Sequence, residues 1–134
     1  MQLNITTDYA IRIVLFVALA GRTSAPEIAP AMGIPLNYVR RVARQVRDAN
    51  ILRAEQGAGG GYTLARKPEG ITLFDIVDYM EGTTRINRCL EPDHFCSRNG
   101  TETCPVRKSY EKLQGKIDEA LKSITIAQLV AACG

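Results

Sequence analysis

The segment TSAPEIAPAMGIPLNYVRRVARQVRDAN, residues 23–50, decides the fold because it contains two helical patterns separated by a short turn. The first pattern ends at Gly33, and glycine readily adopts the left-handed backbone conformation with which many helices stop. The second starts at Pro35, a residue well suited to the first position of a helix. Within it, apolar residues recur at helical spacing, at Val39, Val42, Ala43 and Val46. The segment therefore predicts two helices that pack across a turn.

The residues around the turn support a helix-turn-helix. Ala29, Gly33 and Val39 stand in the pattern A-x3-G-x5-V. The small residue allows the two helices to cross closely, the glycine permits the turn, and the valine packs the second helix against the first. Ser24, just before Pro26, marks the start of the first helix.

The flanking segments extend this motif to a winged helix-turn-helix. Residues 7–20 have the pattern of a largely buried helix, with Thr6 or Thr7 as its N-cap. Two strand-like runs, residues 51–55 and 62–66, follow the motif and surround the glycine-rich tip QGAGGG. The order of these elements predicts a mainly α fold with a small β-hairpin.

A further helix and a long loop follow the hairpin. The sequence TLFDIVDYMEG begins with a capping box, formed by Thr72 and Asp75, and ends at Gly82. Residues 83–104 have no periodicity and are predicted to form a loop. Pro105 then opens a long helix.

The last helix carries an apolar seam. Its members are spaced alternately by four and three residues, a pattern typical of helices that pair side by side; they are Val106, Tyr110, Leu113, Ile117, Ala120 and Ile124. Pairing within the chain is one explanation, and a homodimer is the one we favour. We thus expect three parts: a winged helix-turn-helix (1–82), a loop (83–104), and a dimerisation helix with a tail (105–134).

The positive charge of the chain is concentrated in the second helix of the motif. The 134 residues have an ordinary globular composition, 46% apolar and 23% charged, with a formal net charge of +3. Residues 35–48 contain Arg40, Arg41, Arg44 and Arg47 and a single acidic residue, Asp48. The net charge of this segment, +3, equals that of the whole chain. A basic stripe on a helix is typical of nucleic-acid binding, and a merely solvated helix face is the alternative.

This basic helix is predicted to enter the major groove of double-stranded DNA. Arginine and asparagine side chains can form bidentate contacts with bases. The glycine tip lacks the Gly-Lys-Ser/Thr sequence and the following helix of a phosphate-binding loop, so we interpret it as a wing that approaches the minor groove or the phosphates. The predicted DNA-binding residues are Leu36, Asn37, Tyr38, Arg40, Arg41, Arg44, Gly59 and Gly60.

An apolar run near the N-terminus raises the question of export. The run IVLFVALAG, residues 13–21, is too short to span a bilayer. Asp8 precedes it, and no Lys or Arg occurs before Arg12, unlike the basic flank of a signal peptide. We therefore expect a cytoplasmic protein without membrane association, in which thiols are reduced.

Three of the four cysteines, Cys89, Cys96 and Cys104, lie in the predicted loop as C-x6-C-x7-C. A disulfide would need an oxidising compartment, and free structural cysteines usually lie on apolar faces. Zinc prefers closer pairs, although His94 could complete a Cys3His set. An iron–sulfur cluster needs thiolates that converge from a flexible loop. The spacing alone leaves these four interpretations open, and Cys133 is the weakest ligand candidate.

Several motifs together resemble the IscR/NsrR family, the Rrf-type winged-helix regulators. They are L-x-I-T-T-D-Y-A-I-R at the N-terminus, GAGGGYTLAR-KP, ITLFDIVDYMEG, and three cysteines before a long helix. The resemblance covers nearly the whole chain and is closer to the NsrR-like branch. It implies a homodimeric transcription regulator, usually a repressor, bound to a palindromic operator. It also implies an iron–sulfur cluster in the cysteine loop, because many members carry one there.

The resemblance bears on the fourth ligand of such a cluster. IscR-like proteins use a histidine shortly after the third cysteine, where this chain has Pro105, Val106 and Arg107. NsrR-like proteins resemble this chain at Asp8, where an aspartate from the partner's first helix completes the cluster. His94 is the rival candidate.

The implied ligand set favours a 4Fe–4S cluster, with 2Fe–2S as the other candidate, and a signal such as nitric oxide, redox state or iron–sulfur status. The set is Cys89, Cys96, Cys104 and Asp8. The cysteine gaps are wider here than in cluster-bearing relatives.

Two other functions compete with a cluster-dependent regulator. The same DNA-binding protein could use its cysteines as a thiol redox switch or as a zinc site. A cysteine-based enzyme would need a histidine that orients the thiol. His94 is the sole candidate and has no evident third member, so we do not expect an enzyme.

Overall fold

The computed structural model describes residues 1–134, which form six α-helices and one two-stranded antiparallel hairpin. The helices are Ile5–Ala20 (α1), Ala25–Met32 (α2), Leu36–Asp48 (α3), Leu73–Glu81 (α4), Pro105–Ser123 (α5) and Ile126–Cys133 (α6). The strands are Leu52–Glu55 (β1) and Gly61–Leu64 (β2). The prediction of a mainly α winged helix-turn-helix with a small hairpin is confirmed. No helix is both long and apolar enough to cross a membrane.

The helix-turn-helix has the predicted geometry, with one shift at the start of α3. Gly33 ends α2 in the left-handed conformation, at φ 66°. The four predicted apolar residues of α3 form its buried face, which leaves its arginines exposed; they are Val39, Val42, Ala43 and Val46. Pro35 was predicted to be the first helical residue, but it is the N-cap. Its ψ of 139° is extended, and the helix starts at Leu36.

Helix α1 starts earlier than predicted. Asn4 is its N-cap and accepts a hydrogen bond from the backbone N–H of Thr6 at 3.3 Å, so neither Thr6 nor Thr7 has that role. Thr7 is instead fully buried, and its hydroxyl donates to the carboxylate of Glu81 at the end of α4. The start of α1 is thereby fixed against the end of α4.

The hydrophobic core lies between α1 and the elements that surround it. Four side chains of α1 are fully buried, at Ala10, Ile13, Val14 and Val17. They pack with buried residues of α2, α3, β1, α4 and α6. Helix α5 contributes no apolar side chain to the buried set, and its single buried residue is Gln114. Among the six α-helices, α5 therefore has the smallest share of buried residues.

The predicted tail contains a further helix, because Ile126–Cys133 form α6. Helix α5 ends at Ser123, so Ile124, the last member of the predicted seam, lies just beyond it in an extended conformation. Thr125 and Gln128 then form a capping box that starts a new helix. Ile126 is fully buried, and its N–H donates to the carbonyl oxygen of Ile71 at 2.8 Å. The C-terminus thus packs back onto the winged helix-turn-helix.

The wing is attached to Thr23, which lies two residues before the start of α2. The strands are shorter than predicted, with Leu52 opposite Leu64 and Glu55 opposite Gly61. The N–H of Thr23 donates to the carbonyl oxygen of Tyr62 at 3.1 Å, and the reverse bond measures 2.6 Å. A Cβ on Gly61 would lie 2.3 Å from the carbonyl oxygen of Thr23. Only glycine therefore allows this approach.

Candidate functional site

The exposed face of α3 carries unpaired positive charge. Arg40, Arg41 and Arg44 are exposed and line a shallow depression together with Gln45 and Asp48. None of the three arginines forms an ion pair within the chain. The buried valines on the opposite face hold the helix in place, so these guanidinium groups point away from the core. Such a face can neutralise several phosphates of a nucleic acid.

The first turn of α3 also presents its predicted contact residues to solvent. Leu36, Asn37 and Tyr38 are all exposed, although Tyr38 is held on one side. Its ring meets that of Tyr9 on α1 edge to face, with centroids 6.1 Å apart. The guanidinium of Arg41 lies 6.0 Å from the centroid of the Tyr38 ring. Tyr38 is therefore oriented by α1 while it remains accessible beside an arginine.

The wing tip adds a residue that the sequence did not single out. Gly59 is exposed, and Gly60 bonds back to Gly57 across the turn. The guanidinium of Arg22, which lies between α1 and α2, donates to the carbonyl oxygen of Gly59 at 3.3 Å. Arg22 thus places a positive charge beside the tip. The sequence around Arg22 does not indicate this role, because only the folding of the chain brings Arg22 next to the wing tip.

The three loop cysteines share one open pocket. Cys89, Cys96 and Cys104 are half-buried and line a cavity of about 400 Å³. Phe95 and Tyr110 supply aromatic walls, and the lining contains no carboxylate. The structure therefore places all three loop cysteines around one pocket.

Each of the three sulfur atoms is near a hydrogen-bond donor. Cys89 Sγ accepts from the side-chain amide of Asn87 at 3.2 Å. Cys104 is the N-cap of α5, and its Sγ accepts from the N–H of Arg107 at 3.5 Å. Hydrogen bonds from the backbone N–H groups of Gly100 and then Arg98 lower the pKa of the Cys96 thiol. Donors aimed at sulfur stabilise thiolates, the form that binds metals and reacts with electrophiles.

The arrangement of the three thiols fits a group that contacts the sulfur atoms at separate points. No three His, Cys, Asp or Glu side chains lie close enough together to hold a single metal ion. An iron–sulfur cluster differs from a single ion because its thiolates bind different iron atoms at separate corners. Three thiols around one pocket could each bind one such corner.

The candidate fourth ligands lie outside this pocket of the same chain. Asp8 forms an ion pair with Arg12, one turn along α1, and its side chain is 46% exposed. His94 is exposed and lines a different depression, on the side of α5 that carries Glu111 and Asp118. Cys133 is exposed on α6. Within one chain, the pocket lined by Cys89, Cys96 and Cys104, which we call the thiol pocket, therefore offers three sulfur ligands and no fourth one.

The outer part of the cysteine loop is held by its own contacts. Arg88 pairs with Asp93, and the hydrogen bond from that guanidinium lowers the pKa of Asp93 to about 2. The same guanidinium lies 5.4 Å from the centroid of the Phe95 ring. The hydroxyl of Thr101 donates to the carbonyl oxygen of His94 at 3.0 Å. These contacts give the loop a definite shape without strand or α-helical structure.

Comparison with known proteins identifies relatives over nearly the whole chain. The model of the family Rrf2, described as an iron-dependent transcriptional regulator, matches residues 3–132. The HTH-type transcriptional regulator IscR of Sodalis glossinidius is 29% identical over 134 residues, 98% of this chain and 79% of that protein. The HTH-type transcriptional repressor NsrR of Streptomyces coelicolor is 27% identical over 136 residues, 98% of this chain and 90% of that protein. These similar identities do not separate the two branches.

A solved structure shows the same fold. CymR, the global cysteine regulator of B. subtilis, superposes with a TM-score of 0.80 at 24% identity, over 98% of both chains. At this identity the likeness shows the arrangement of helices and wing, and no more.

Proposed function

The chain belongs to the Rrf2 family of transcriptional regulators, and from this premise we propose that it is a cytoplasmic homodimeric repressor with a palindromic DNA operator. We further propose that an iron–sulfur cluster in the thiol pocket controls its affinity for that operator. The relatives are helix-turn-helix transcriptional regulators, and the protein is not an enzyme.

The exposed and unpaired arginines of α3 are the observation that carries DNA binding. A helix of this kind enters the major groove, where arginine and asparagine read bases and neighbouring side chains contact phosphates. The wing tip and Arg22 lie on an adjoining part of the molecule and would contact the flanking backbone. On this surface, contacts with the DNA phosphates would position the protein, and α3 would contact the base edges that determine sequence specificity.

The exposed apolar side chains of α5 support the dimer. Val106 is 52% exposed and Leu113 is 48% exposed, although both belong to the regularly spaced seam. A second copy that pairs along this helix would bury them, and helices with this spacing associate in that way. A two-fold dimer places two recognition helices about one helical turn of DNA apart, which explains a palindromic operator.

The thiol pocket is the observation that supports the proposal of a cluster. Cys89, Cys96 and Cys104 would hold it, and Asp8 from the partner's α1 would complete the ligand set. When bound, an iron–sulfur cluster supplies iron that reacts with nitric oxide and oxidants. The carboxylate oxygen of Asp8 is a harder ligand than a thiolate, so it would be the ligand most readily displaced. Its release would loosen the link between the two chains and change the spacing of the recognition helices.

Anaerobic reconstitution tests this function. We expect a coloured protein that contains iron and sulfide in stoichiometric amounts, whose visible spectrum and operator affinity change together when nitric oxide is added. A colourless protein without iron and sulfide, under conditions in which it binds the operator, would reject the cluster and leave the DNA-binding function.

The alternative is the same regulator with a thiol redox switch or a zinc site, and of these two the thiol switch fits better, because no three His, Cys, Asp or Glu side chains lie close enough together to hold a single zinc ion. The hydrogen bonds around Cys96, which lower its pKa, favour a reactive thiolate at that position. Elemental analysis separates the possibilities, because zinc without sulfide indicates a zinc site. A reversible mass shift after oxidation, with no metal present, indicates a thiol switch.

A further inference from the structure

The only buried residue of α5 is a glutamine, Gln114, at 5% exposure. Its amide nitrogen donates to the carbonyl oxygen of Thr84 and to the carboxylate of Asp118, both at 2.8 Å. Its amide oxygen accepts from the N–H of Ile86 at 2.7 Å. A buried polar group is costly unless it is bonded, and here both N–H groups and the oxygen have partners. Gln114 thus binds the backbone at the start of the cysteine loop.

Two neighbours on α5 extend this attachment along the loop. Asp118 accepts from the hydroxyl of Thr84 at 3.0 Å and from the guanidinium of Arg85 at 3.1 Å. Arg107 donates through Nε to the carbonyl oxygen of Cys89 at 3.2 Å. Because these α5 residues are separated from Gln114 by four and seven positions, they share one face of the helix. The loop segment therefore runs antiparallel along α5 and is bonded to it at both ends.

The attachment distinguishes the three cysteines. Cys104 is fixed to α5 as its N-cap, and Cys89 is fixed through its carbonyl oxygen to Arg107. The groups that hydrogen-bond to the Cys96 sulfur belong to the loop itself; they are the backbone N–H groups of Gly100 and Arg98. Two thiols are thus placed by α5, and the third depends on the conformation of the loop.

We propose that Gln114 is a positioning residue that sets Cys89 relative to Cys104 by holding residues 84–86 on α5. The role of this placement in cluster assembly rests on the proposed function. The placement itself is a property of the reduced chain without a cluster, and can be measured there.

The test uses the reduced, metal-free full-length protein and the variant Gln114→Leu. Loss of the three bonds leaves the N–H of Ile86 without its partner, so we expect its hydrogen exchange to become about tenfold faster. Alkylation of Cys89, relative to the exposed Cys133 in the same molecule, is expected to accelerate, whereas that of Cys96 is not. Glu119→Gln is the control, since Glu119 is exposed on the same helix and makes no hydrogen bond to the loop.

A second variant separates positioning from general stability. Gln114→Glu keeps the shape of the side chain and an acceptor for Ile86, but it cannot donate to Thr84, so the loop amides should again exchange faster. Unchanged exchange at Ile86 in both variants would overturn the proposal. Faster exchange that extends equally through α1 and α3 in both variants would assign Gln114 to overall stability and would also overturn it.

The outcome is independent of the cluster. If wild-type protein fails to take up iron and sulfide, the cluster part of the proposed function fails while the exchange measurement still stands. If the wild type assembles a cluster and Gln114→Leu leaves the loop and the Cys89 alkylation rate unchanged, only the positioning role fails.

Discussion

Tyr9 of α1 and Tyr38 of α3 meet edge to face, with ring centroids 6.1 Å apart and ring planes inclined at 68°. Arginines extend the contact on both sides, because Arg12 lies 5.4 Å from the Tyr9 centroid and Arg41 lies 6.0 Å from that of Tyr38. Arg12 is also paired with Asp8. A continuous set of contacts therefore joins the first turns of α1 to the exposed face of α3.

We expect Tyr38→Ala to weaken both folding and operator binding. An edge-to-face aromatic pair contributes about 0.5–1.5 kcal/mol beyond its buried area, so the free energy of unfolding should fall by about 1 kcal/mol or more. Tyr38→Phe keeps the ring and should retain that stability. A double-mutant cycle with Tyr9→Leu, measured by urea unfolding, gives the coupling energy directly. A coupling near zero would show that the rings contribute independently.

Removal of single arginines from α3 should change the salt dependence of DNA binding. Each phosphate contact contributes about −0.9 to the slope of log K against log salt. Arg41→Ala and Arg44→Ala should therefore each make the slope shallower by about one if they contact phosphates. Lys116→Ala removes the same charge from α5 and serves as the control. If all three variants had the wild-type slope, the face of α3 would not be the DNA-binding surface.

Gly61→Ala should damage the wing. The new Cβ would lie 2.3 Å from the carbonyl oxygen of Thr23, and the residue has a φ of 134°. We expect the free energy of unfolding to fall by about 2 kcal/mol or more, together with a loss of operator affinity. Gly70→Ala is the matched control, since its Cβ would have open space and the backbone has no positive φ. That control should lie within about 0.5 kcal/mol of wild type.

The elements that the sequence predicts well are those with a regular local pattern. The valines and arginines of α3 alternate with the period of a helix, so both of its faces could be assigned without a structure. Gly33 and the Thr72 capping box likewise determine local backbone geometry by themselves. The second capping box, at Thr125, has the same signature, but it follows α5 so closely that the two helices read as one helix and a tail.

The parts that the sequence does not predict depend on tertiary contacts. Gln114 belongs to a polar, exposed-looking stretch of helix, and only the loop packed on it makes it buried. The loop itself has no period, so nothing in the sequence shows that His94 lines a different depression from the three thiols. Arg22 approaches the wing tip only because the chain reverses around the helix-turn-helix.

The lowered pKa of Cys96 makes a prediction about reactivity and pH. In reduced, metal-free protein near neutral pH, Cys96 should be alkylated faster than the more exposed Cys133, because backbone donors stabilise its thiolate. The difference should narrow as the pH rises past the ordinary thiol value of about 8.5, and it should vanish in denaturant. Site-resolved mass spectrometry measures both rates. Equal rates in the folded protein at neutral pH would contradict a stabilised thiolate.

The same shift has a definite sign for stability. Because the thiol pKa is lower in the folded chain than in the unfolded chain, its contribution to stability is present above the unfolded value. That contribution is lost as the pH falls through the lowered folded value.

The fourth ligand can be assigned by comparing Asp8 with His94. The ion pair of Asp8 with Arg12 lies at a partly exposed i, i+4 position, where such pairs contribute only about 0.3–0.5 kcal/mol. The carboxylate is therefore readily released to another ligand, whereas His94 lies on a different depression from the thiols. We expect Asp8→Ala to lower cluster retention during anaerobic gel filtration, and His94→Ala to retain the wild-type iron and sulfide content.

Arg12→Gln completes this comparison, because it breaks the ion pair and leaves the carboxylate in place. If Asp8 acts as a ligand, this variant keeps its cluster while Asp8→Ala loses it. If Asp8 serves only to pair with Arg12, the two variants behave alike. Loss of the cluster in His94→Ala with retention in Asp8→Ala would move the fourth ligand from the partner's α1 to the loop, and the link between the two chains would then depend on α5 alone.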